Sequence, residues 1–69
     1  MINVSEKDYI LRTYPAIMDF DDLMQCLAAS SRTVYRIIEE KKIPAWKADG
    51  EWNFSRSDVL EYLDRNGDF

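Results

Sequence analysis

Residues 30–46 read SSRTVYRIIEEKKIPAW, and the fold turns on how this stretch is taken. Ser30 suits a helix N-cap, and Val34, Ile37 and Ile38 fall at i, i+3 and i+4, one apolar stripe of a helix that Pro44 stops. Arg32, Tyr35 and Arg36 repeat that spacing on a different face. From Ser30 to Lys47 the cations Arg32, Arg36, Lys41, Lys42 and Lys47 outweigh Glu39 and Glu40, a local net charge of +3. The flanks run the other way, −3 over residues 1–29 and −4 over residues 48–69, in a chain of net charge −4. Charge sorted in this way points to one face that meets an anion.

Upstream, Asp19 can cap a helix with Asp22 three residues on, and Phe20, Leu23, Met24, Leu27 and Ala28 mark one helical face. Only Ala28 and Ala29 part this pattern from the next, the spacing of a helix–turn–helix. Further upstream, Ser5 and Asp8 form a capping-box signal for a helix near residues 5–13, closed by Pro15.

Downstream, the period shortens to about two. Ala45–Ala48 and Glu51–Phe54 flank Asp49-Gly50, a strong hairpin signal. A two-residue loop sets Trp46 on the face opposite Trp52 and Phe54. A loop from Asp49 to Glu51 sets Trp46, Ala48, Trp52 and Phe54 together against the core, and is favoured because the slipped register would expose an indole. Ser55 and Asp58 form a third capping-box signal, Val59, Leu60, Tyr62 and Leu63 pack the last helix, and Asn66-Gly67-Asp68 reads as its stop. The expected core comprises Leu23, Leu27, Val34, Ile37, Ile38, Trp52, Phe54, Val59 and Leu63.

Sixty-nine residues suffice for one core. A chain of this size buries only about 60% of its unfolded surface, so its apolar residues must be well used. No apolar run approaches a membrane span, the first twenty residues lack the pattern of a signal peptide, and the single Cys26 suits a reducing cytoplasm. With no His, no Ser beside a base and no glycine-rich phosphate loop, catalysis is not expected, nor is a cofactor or small-molecule substrate. The Asp19, Asp21, Asp22 cluster lacks the Gly and distal Glu of a calcium loop, so no metal is expected there. Asp49 and Glu51 between the two Trp residues argue against a stacking platform for single strands.

The run DFDDLMQCLAASSRTVYRIIEEKKIPAWKADGEWNFSRSDVLEYL resembles the small winged helix–turn–helix domains of excisionases and MerR-type regulators, over about residues 17–64. The most specific pieces are SSRTVYRIIEEKKIPAWK and WNFSRSDVLEYL, in matching order and spacing. The resemblance implies a mainly α single domain with a small β-hairpin. It divides the chain into an amino-terminal extension with helical signals (1–16), a winged domain (17–65) and a tail (66–69), with helices near 19–29, 31–41 and 56–65 and a hairpin near 45–54. It also implies that the second helix of the motif enters the major groove of double-stranded DNA while the wing lies along the backbone or minor groove. The chain departs from the family pattern at Ala28, where Gly is usual, at Met24, where a small residue is common, and at the wing tip, where Asp49 and Glu51 replace cations. Ala28 is tolerable there if its backbone stays out of the left-handed region.

On this reading Arg32 and Arg36 face base edges, as a guanidinium matches guanine O6 and N7. Ser31, Thr33 and Tyr35 hold the register on the backbone, and Lys41, Lys42 and Lys47 add sequence-independent attraction. The implied role is an excisionase-like directionality factor or a small regulator of prophage or mobile-element genes, with an integrase or neighbouring copies on DNA as further partners. The alternative is a protein-interaction module on the same fold, its acidic surfaces meeting a basic partner; the sequence pI of 4.6 favours it.

Overall fold

Asp49 and Gly50 have positive φ angles of 54° and 80°, the backbone pattern of a two-residue hairpin loop. In the computed structural model, which describes residues 4–66, the chain runs α1 (Val4–Thr13), β1 (Ile17–Asp19), α2 (Phe20–Leu27), α3 (Ser31–Glu39), β2 (Ala45–Ala48), β3 (Glu51–Ser55) and α4 (Arg56–Arg65). The loop pairs Ala48 with Glu51, Lys47 with Trp52, Trp46 with Asn53 and Ala45 with Phe54. Ala45, Lys47, Trp52 and Phe54 therefore share the inner face, and Trp46 lies on the outer one, 42% exposed.

This corrects the expected three-residue loop, which would have turned Trp46 inward. Turn chemistry decides the register: Asp tolerates the left-handed region, Gly favours it, and a two-residue loop matches the twist of the strands. The inner face also has a small residue, Ala45, opposite the fully buried Phe54.

A third strand completes the sheet in the order β1-β3-β2, all antiparallel. In β1, Ile17 pairs with Ser55, Met18 with Phe54 and Asp19 with Asn53, so Met18 joins the core at 0% exposure. Three residues are too short to show strand alternation, so in the sequence only the cap at Asp19 stands out. That cap is formed: the Asp22 N–H donates to Asp19 Oδ1 at 2.8 Å, and the Asp19 N–H donates to Asp22 Oδ2 at 3.2 Å. The other two capping signals fare differently. The Ser55 side chain makes no capping bond, and Ser5 falls inside α1, which begins at Val4. Asn66 ends α4, its Nδ2 donating to Tyr62 O at 2.7 Å, while Gly67 and Asp68 lie outside the described residues.

Between α2 and α3, Ala28 adopts φ 52° and ψ 43°, the left-handed region that a non-glycine residue was expected to avoid. The geometry persists because the cap bonds need it: the Ala28 N–H donates to Gln25 O and the Ala29 N–H to Met24 O. Ser30 then caps α3, accepting from the Thr33 N–H at 3.3 Å.

Leu23, Val34, Ile37, Phe54, Val59 and Leu63 are buried as expected, whereas Leu27, Ile38 and Trp52 are half-buried against them. Ile10, Ile43 and Leu60 complete the core with Met18. Met24 and Cys26 also pack on it half-buried, and burial, with the charge of Asp22, pushes the Cys26 thiol pKa up. Arg56 ties α1 down. Its Nη1 donates to Leu11 O at 2.9 Å and Tyr14 O at 2.7 Å, and its backbone N–H donates to Ala16 O at 2.8 Å. A guanidinium at the carbonyl end of a helix also complements the dipole there.

Two stability changes follow. Ala28→Gly removes a left-handed cost of about 1–2 kcal/mol and adds a smaller unfolded-state entropy cost, so urea denaturation should show a net gain of about 0.5–1 kcal/mol. Arg56→Met leaves the carbonyls of Leu11 and Tyr14 without their charged donor. It should cost about 1.5–3 kcal/mol and speed amide exchange in α1 more than in α3.

Candidate nucleic-acid interface

Ser31, Arg32, Thr33, Tyr35 and Arg36 stand on α3, Lys41 and Lys42 in the turn that follows it, and Lys47 on β2; all eight are exposed. The α3 stripe of Val34, Ile37 and Ile38 faces the core, so helical spacing turns Arg32 and Arg36 away from it. Among the described residues the ion pairs are Arg12–Asp8 at 3.2 Å and Lys42–Glu40 at 3.3 Å, which leaves both arginines free for another acceptor. Glu39 shares their outward face and is exposed. In the sequence it counts only as a counter-charge, although a carboxylate beside two free arginines can accept from a cytosine amine.

The remaining residues are placed less uniformly. Tyr35 lays its ring 4.9 Å from that of Phe20, tilted by 45°, and stays 55% exposed, so it braces α3 against the start of α2. The Thr33 hydroxyl is 3.2 Å from Ser30 Oγ, and Thr33 lines a cavity with Tyr9, Tyr14 and Tyr62, at the edge of the arginine face. Lys41 has a positive φ of 56°, and the N–H groups of Lys41 and Lys42 close the end of α3 on Ile38 O and Ile37 O. Lys47 Nζ lies 5.3 Å from the centre of the Trp52 ring, and Lys41 lines a groove with Ile38 and Trp52. Trp52 thus brings the end of α3 and the wing strand together with a lysine from each. Lys42 stands in an exposed pair with Glu40, which lowers the local positive charge there. At the wing tip Asp49 and Glu51 are exposed and acidic.

Two helices joined by a tight turn, a second helix with free arginines outward, and a hairpin wing beside it define a small winged helix–turn–helix protein. The sequence model of the family described as "Helix-turn-helix domain" matches residues 17–67, and the chain belongs to that family. No curated protein and no solved structure matches the chain significantly. The family supports DNA binding as the general function and double-stranded DNA as the partner. Among the described residues no cluster of side chains could hold a metal ion, and no helix is long and apolar enough to cross a membrane.

The Phe20–Tyr35 contact predicts a split between two variants. Tyr35→Phe keeps the ring pair and should leave the thermal midpoint unchanged. Tyr35→Ala should lose about 0.5–1.5 kcal/mol of stability by calorimetry, the worth of an aromatic pair.

Proposed function

We propose that the chain binds a specific double-stranded site by laying α3 in the major groove. It would act there as an excisionase-like recombination directionality factor or as a small regulator of prophage or mobile-element genes. The observation that carries this reading is the pair Arg32 and Arg36, exposed, unpaired among the described residues and turned outward on the second helix of the motif. A guanidinium that pairs with guanine discriminates by about 1–3 kcal/mol per good contact. Ser31 and the first N–H groups of α3 suit a phosphate, and Tyr35 and Thr33 border the same surface. Lys41, which lines a groove with Trp52, and Lys47, over the Trp52 ring, would follow the backbone toward the wing. Asp49 and Glu51 oppose a close approach of the wing tip itself.

One small domain offers few contacts, and bending a site costs of order 1–6 kcal/mol. Neighbouring copies, or an integrase, would share that cost and make excision or promoter control responsive to how many molecules are bound.

Titration against specific and scrambled duplexes at two salt concentrations tests the reading. Arg36→Ala should weaken the specific site by about 1–3 kcal/mol and relax preference at one or two base pairs. Lys41→Gln should weaken both duplexes alike and reduce the salt slope by about one, and Lys42→Ala should do less, because Glu40 already engages Lys42. Each position is exposed, so folding should shift by less than about 0.5 kcal/mol. Equal, small effects of Arg36→Ala on both duplexes would refute base reading by this helix.

A further inference from the structure

We propose that the outer face of the sheet is a docking surface for a cationic segment of a partner protein. The helices cover the inner face, where Met18 and Phe54 are fully buried, and leave the outer face open. On that face one row runs Asp19–Asn53–Trp46 across all three strands, and the next pairs Glu51 with Ala48. Trp46 is 42% exposed and Ile17, on the same side, 57%. Asn53 Nδ2 is occupied by Glu51 O at 3.2 Å. No Lys or Arg stands at any outward position of the three strands, and Asp49 extends the acid to the hairpin tip.

That composition selects the occupant. Asp19 Oδ1 already accepts from the Asp22 N–H as the cap of α2, so Glu51 and Asp49 carry the free charge. Such carboxylates repel nucleic acid and attract cations, and an exposed indole face binds a guanidinium or ammonium. Ile17 and Trp46 add apolar contact area. With strands about 4.8 Å apart, the row from Asp19 to Trp46 spans about 10 Å, within reach of an extended peptide of a few residues. A segment alternating Arg with an aliphatic residue satisfies the acids and the indole together. The proposal does not rest on α3, whose arginines belong to a different surface.

The test uses two fluorescein-labelled synthetic peptides of equal length, one alternating Arg with Val and the other alternating Glu with Val. Anisotropy with the whole chain should show binding of the Arg–Val peptide alone, weakening as salt rises. In proton–nitrogen spectra the Trp46 indole N–H should shift on addition of this peptide, while that of Trp52 stays in place. Trp46→Ala and Glu51→Lys should each weaken the peptide by about tenfold. Trp46→Ala should leave binding to a DNA duplex unchanged, and Arg36→Ala should show the reverse pattern. Equal binding of both peptides, or peptide affinity indifferent to both variants, overturns the proposal. Loss of DNA affinity in Trp46→Ala would assign the face to the duplex and overturn it too. So would a concentration-dependent dimer of the chain abolished by Trp46→Ala, since the occupant would then be a second copy.

Discussion

Phe54 is the side chain on which both layers close. It lies at 0% exposure on the central strand, opposite Met18 on one side and Ala45 on the other, with α2 and α4 packed over the same strand. A slip of one residue on either side would turn this ring or its neighbours to solvent. The register it holds sets Trp52 beside the end of α3 and Trp46 outside. Core packing on Phe54 and the Asp49-Gly50 turn agree on this register, and together they fix where the wing lies beside α3.

The helix–turn–helix was legible because its two helices each carry a 3.6-residue stripe bounded by a cap, and both caps form at Asp19 and Ser30. The last helix was legible for the same reason, although Ser55 serves the sheet rather than a cap. What escaped were features fixed by distant partners. Ile17–Asp19 becomes a strand only because β3 is there to pair with it, and Ile43 looks like an isolated apolar residue in a turn until the core closes over it. The hairpin register was legible in Asp49-Gly50 itself, a pair suited to the two positive φ angles of a two-residue loop, but the expected burial of Trp46 outweighed it. At the site, the arginine face followed directly from helical spacing. The engagement of Lys42 by Glu40, of Tyr35 by Phe20 and of Lys47 by Trp52 did not, because each is a choice among rotamers made in the folded state.

A net charge of −4 does not conflict with the DNA-binding surface proposed for α3. Its shortest extent is 18 Å, and the Debye length at physiological ionic strength is about 8 Å, so a phosphate at α3 is largely screened from acids on the far side. On the proposed docking, the local surplus around α3 would govern contact there. Such an arrangement would suppress indiscriminate binding along a duplex, because only the orientation that presents α3 is attractive.

The bonds from Arg56 to Leu11 and Tyr14 link residues 45 and 42 positions apart in the chain. Closing so wide a loop costs entropy that is recovered only once the intervening elements are in place. During synthesis α1 leaves the ribosome before the other elements of this domain, yet its carbonyl end has no guanidinium to meet until Arg56 has followed. A ten-residue helix alone is marginal in water. A nascent chain stalled before residue 56 would therefore carry α1 without the bonds that tie down its carbonyl end.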